Sequence, residues 1–168
     1  MKTQSILLTI FTGFIGFGLV IFLIRLISAK VRPVMQDEKG VRLSYGIHAA
    51  GFLVSGCLLM ANAIPVISQG FEIMWTTYDR SFVLEAIEFI ATIVGFSLAA
   101  LVVFYYTNVG LASLLFGNAN IAIEVERDNY PFFIYLSAAL VGLTILGVEV
   151  MGPFLQIFVP HLDVPFYH

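Results

Sequence analysis

Charge is scarce in this chain: Lys, Arg, Asp and Glu make up 11% of its 168 residues. A soluble domain carries about 25%, so these side chains cannot coat a water-exposed surface. Cysteine is nearly absent; Cys57, the only one, lies inside an apolar run, which excludes an intrachain disulfide and makes it read as a small hydrophobe. The net charge of −3, with no basic patch interleaved with aromatics, argues against nucleic-acid binding. Catalytic signatures are missing too: there is no Walker motif, dinucleotide fingerprint, GxSxG, HExxH, HxExxC or EF-hand loop. The sequence therefore predicts no enzyme and no cofactor. Gly13, Gly16 and Gly18 fall within an apolar run and read as helix packing, not as a phosphate cradle.

Four apolar runs occupy most of the chain: Ile6–Ile27, Leu43–Ile67, Phe82–Val109 and Phe132–Phe158. Each reaches or passes the ~20 residues that a helix needs to cross ~30 Å of hydrocarbon. The implied fold is all-α, a polytopic membrane protein with four transmembrane helices in a single domain, residues 1–168. Lipid replaces water as the main solvent, and the bilayer is the first expected partner. Met1–Ile27 is too long an apolar run for a signal peptide and reads as a retained first helix. Arg25, Lys30, Arg32, Lys39, Arg42 and Arg127 flank the first and third loops, against Lys2 and Arg80 on the other side. The positive-inside rule then puts loops 30–42 and 117–129 in the cytoplasm and both termini outside. Arg25 is expected to snorkel to the cytoplasmic headgroups, and Trp75 and Tyr78 suit the outer interface.

Local chemistry marks the helix ends. Pro33 stops the first helix, Ser44 is expected to cap the second, and Pro65 falls near its outer end. Asn129 before Pro131 starts the fourth. The third run is expected to bend or leave the bilayer near Asn108–Gly110. The two halves look alike: each has a helix, a charged loop, then a helix with glycine about fourteen residues after an arginine (Arg42 to Gly56, Arg127 to Gly142). A duplicated two-helix unit, residues 1–70 and 80–160, would give parallel repeats about an axis along the membrane normal.

In the second unit Arg127-Asp128-Asn129 precedes Ser137-Ala138-Ala139 and Gly142; in the first, Ser44 precedes Ala49-Ala50-Gly51 and Gly56. On these residues the chain resembles the YjfL-type family of small bacterial inner-membrane proteins, a domain of unknown function. Ser44 stands where that family's pattern has Asn, and Pro131-Phe132-Phe133 departs from the small residues that follow it. The resemblance implies tandem two-helix units and a multi-pass location in the bacterial inner (plasma) membrane. No catalytic residue comes with it.

Polar residues inside the runs are the candidate site. His48, Ser55 and Asn62 are spaced by seven on one face of the second helix, to be read as a packing seam or as the lining of a hydrated path. On the fourth helix Ala138, Gly142, Ile145, Glu149 and Gly152 follow a +4, +3, +4, +3 pattern, which is expected to put Glu149 on the close-packing face. Counting ~1.5 Å per residue, Glu149 lies roughly 28 Å from Tyr130 and Asn62 roughly 27 Å from Ser44. Glu85 and Glu88, at the entrance of the third helix, share that depth. These three glutamates and Asn62 are expected to converge in the outer third of the bundle. Acids gathered in a low dielectric hold a proton or attract a cation; a salt bridge to Arg80 is the structural alternative. His161, Asp163 and His168 in the tail would complete a metal site with Glu149 only if the tail folds back.

Two functions fit these features. One is a channel or transporter-like protein for a cation or proton, using the outer acidic cluster and working as a homo-oligomer. The other is a non-catalytic membrane subunit or scaffold whose small-residue faces dock the helices of a membrane-protein partner.

Overall fold

In a computed structural model the described residues are 2–30, 36–37, 40–77, 82–117 and 120–160. Helix α1 (Lys2–Ile27) ends in a 3-10 turn, Ser28–Lys30, and Gln36–Asp37 pairs antiparallel with Gly40–Val41. Helices α2 (Leu43–Thr77), α3 (Phe82–Phe116), α4 (Ile121–Glu126) and α5 (Tyr130–Gln156) follow. Four of the five are long and apolar enough to cross a membrane: Ile6–Ile27, Leu43–Trp75, Val83–Phe116 and Tyr130–Gln156. The 33-residue span of α2 is roughly 50 Å long at ~1.5 Å per residue, so it tilts or projects beyond the hydrocarbon.

Helix α2 is the hub. Half of its most apolar window is buried, against 22–28% for the other spans. Helices α1, α3 and α5 each pack along it, whereas α1 barely meets α3 and has no extended contact with α5. Apolar burial does not drive helices together in lipid, so close backbone approach at small residues has to do it. A Cβ on Gly56 would lie 2.4 Å from Val20 of α1, one on Gly16 2.6 Å from the Met60 sulfur, and one on Gly51 2.4 Å from Ser137 of α5. Helix α1 buries the stripe Thr9, Thr12, Gly16 and Val20 for this; Phe11, Phe14 and Phe22 face outward as a lipid-facing coat.

Several sequence expectations change here. Helix α2 runs through Pro65 for twelve more residues, to Thr77. The proline sits on the exposed side, and membrane helices tolerate proline where local adjustment of the helix re-satisfies the freed backbone groups. Helix α3 does not stop at Asn108–Gly110 but continues to Phe116. Asn108 is buried, and its side-chain amide donates to the Leu136 carbonyl of α5 at 2.7 Å, which anchors the segment. A duplicated unit is not shown. Among the described residues α3 packs along α2, while α1, its counterpart, has no extended contact with α5.

Candidate functional site

The polar face of α2 is turned inward. Ser55 is 0% and His48 7% exposed, and Asn62 is half-buried. The reason is periodic: these residues share an azimuth with Gly51, which lies hard against Ser137 of α5. The His48 ring sits 5.7 Å from that of Tyr105 and 5.5 Å from that of Phe133. The crevice beside it, lined by Ile24, Ser28 and Phe52 among others, has no room for a water molecule. His48 is therefore packed among aromatic rings, away from water. The Ser55 hydroxyl and the Asn62 amide nitrogen find no hydrogen-bond partner among the described residues. Asn62 lies against Gly152, whose Cβ would be 3.4 Å from its side-chain oxygen.

The glutamates do not gather within one protomer. Glu149 is exposed, as are Ala138, Gly142 and Ile145 of the same stripe. The packing stripe of α5 is instead Phe133, Ser137, Leu140, Thr144, Gly147 and Met151, a +4, +3 rhythm that runs one or two residues ahead of the expected one. One residue is about 100° of rotation, and both registers contain small residues, so spacing alone could not fix the phase. Gly147 meets Phe104 of α3. Glu149, two residues on and about 200° around the helix, points away from α3. Glu88 is exposed on α3 and Glu85 is half-buried. Of the predicted residues, His48, Ser55 and Asn62 share one inward face of α2. Among the described residues no group of three or more His, Cys, Asp and Glu could hold a metal ion. His161, Asp163 and His168, and the proposed partner Arg80, lie outside the described residues.

A second polar assembly, missed in the sequence, joins the two halves where α2 and α5 begin. The Arg42 guanidinium donates to the backbone carbonyls of Val125 (3.3 Å) and Glu126 at the end of α4. In return Asp128 accepts from the Ser44 backbone N–H at 2.9 Å and so caps α2 from outside. That contact, followed by the nearby Ser44 hydroxyl and the Arg42 charge, holds the Asp128 carboxyl below its ordinary range. Ser44 is thus the capped residue, not the cap. Asp128 adopts a positive φ of 51°, a conformation that Asp and Asn accept more readily than most residues. Asn129 precedes α5 as expected, but its side chain donates to Glu124 at 2.6 Å instead of capping the helix. Helix α4 was also missed, although Asn120 caps it by accepting from the Ala122 N–H at 3.0 Å.

Four membrane-length helices around a buried polar seam define a multi-pass α-helical membrane protein. No protein-family model, curated protein or solved structure matches the chain.

Proposed function

We propose that the protein works as a homo-oligomer in which the α2–α5 flank of one copy faces that of another, gathering Glu149 carboxylates into an outer cation-attracting site. The observation that carries this is the exposure of Glu149 on a transmembrane helix. A bare carboxylate is costly against acyl chains and calls for water or a protein partner. Around it the flank suits close approach. Ala138 and Gly142 on α5 lie beside an exposed strip of α2 (Ala50, Val54, Cys57 and Ala61) that no other helix covers. Within one protomer His48 and Ser55 are shut off, so any conducting path belongs to the assembly. The acidic face is assigned to the outer side of a bacterial inner membrane, on the Lys and Arg distribution and the YjfL-type resemblance. The second reading, a scaffold that docks foreign helices on the same flank, rests on the same small residues.

Cys57 supplies the test, being the only cysteine and exposed on this flank. A short bifunctional maleimide applied to native membranes should yield a cross-linked dimer of the chain, with cation flux in liposomes that falls in Glu149→Gln. A cross-link to a different polypeptide would favour the scaffold. A monomer with flux unaffected by Glu149→Gln would refute the assembly.

A further inference from the structure

At the end of the bundle where α3 stops and α5 begins, a cavity of about 310 Å³ opens among Phe116, Glu124, Asn129, Pro131 and Phe132. The spans that bound it end at Phe116 and start at Tyr130, so it opens at one end of the bundle. Its volume is at the small end of ligand sites, roughly 300–1,000 Å³, and suits a headgroup-sized molecule. One wall is a half-buried carboxylate that is held in place: the Asn129 amide donates to one Glu124 oxygen, leaving the other oxygen for a ligand. Phe116 and Phe132 add an aromatic lining. Phe116 meets Phe132 edge-to-face at 5.7 Å and Tyr135 at 5.0 Å, an arrangement in which ring faces present negative potential.

We propose that this cavity binds an organic ammonium group, the cationic end of an ethanolamine or choline moiety. The chemistry selects this class over its rivals. A metal ion needs several oxygen or nitrogen ligands, and among the described residues no cluster of three ligating side chains exists. A free anion would meet Glu124 as a like charge. A neutral apolar group would leave the carboxylate without a counterpart. An alkylated ammonium satisfies both, the carboxylate by ion pairing and the aromatic lining by cation–π contact. The cavity is separate from the α2–α5 flank, so this proposal stands or falls independently of the assembly.

Saturation-transfer NMR on the full-length protein in detergent micelles tests it, with choline as the probe. Its neutral isostere, with a quaternary carbon in place of the nitrogen, is the control. Choline methyls should receive saturation and the isostere should not. Glu124→Gln, which keeps an acceptor for Asn129, should weaken choline binding at least tenfold, and Phe116→Leu severalfold. Equal signals from choline and isostere, or choline binding unchanged in both variants, would overturn the proposal. If Glu124→Gln fails to fold, Phe116→Leu and the isostere control still decide. Repeating the measurement in nanodiscs separates the sources. Loss of the choline signal in phosphatidylethanolamine but not in phosphatidylglycerol identifies a lipid headgroup as the occupant; persistence in both identifies a soluble amine.

Discussion

The phase of α5 against α2 is tested by two glycine substitutions with opposite expected signs. A methyl group on Gly51 would sit 2.4 Å from the Ser137 Cβ and 2.8 Å from its Cα. The second of these atoms is backbone, so no rotamer change relieves the clash, and α2 and α5 must separate by about 1 Å to reach the ~3.5 Å of ordinary carbon contact. This is the most extensive helix pair in the protein. An overpacking cost at the upper end of the usual range, about 3 kcal/mol, is therefore expected. Alanine recovers about 1 kcal/mol of helix propensity over glycine, so Gly51→Ala should destabilise by about 2 kcal/mol. At Gly142 nothing lies within 4 Å of the added methyl, and only the propensity gain remains, about 1 kcal/mol stabilising. Unfolding by SDS titration in mixed micelles at a detergent ratio that keeps the chain monomeric reads both. A destabilising Gly142→Ala together with a neutral Gly51→Ala would refute this packing and restore the register in which Gly142 and Glu149 face the core.

Other consequences can be measured in the same format. Glu149→Gln should leave monomer stability within about 0.5 kcal/mol, as for an exposed site without a buried partner; a larger loss would mean that the carboxylate is engaged inside the protomer. Asn108→Leu removes the bond to the Leu136 carbonyl and should cost about 1 kcal/mol or less, since interhelical hydrogen bonds in membranes average ~0.6 kcal/mol. Asp128→Asn keeps a residue suited to positive φ but removes the charge that faces Ser44 and Arg42. A carboxyl held below its ordinary pKa of 3.8 contributes its full stability above that value and loses it as pH falls through the depressed one. The melting temperatures of wild type and Asp128→Asn should therefore differ at neutral pH and converge below pH 3.8. A gap that stays constant across that range would remove the charge from the explanation.

What was legible in the sequence follows from what lipid demands. The four spans were readable because length and apolarity are the conditions for crossing, whatever packs against what. The inward face of α2 was readable because His48, Ser55 and Asn62 repeat at seven, and lipid tolerates such groups poorly. The phase of α5 was not, because Ala138 and Gly142 resemble Ser137 and Gly147 in size, and a step of one or two residues separates a packed stripe from a bare one. Pro65 and Gly110 misled because rules for helix ends in water weaken in membrane helices, and the buried Asn108 anchors the segment around Gly110. The Arg42–Asp128 assembly joins positions more than eighty residues apart, and no local pattern reports such a pairing.

That assembly constrains how the protein can move. Arg42 grips the end of α4 while Asp128 grips the start of α2, so the first helical pair and the second are stapled reciprocally at one rim. Any relative swing between them has its pivot there and its largest excursion at the far rim, where Asn62 meets Gly152.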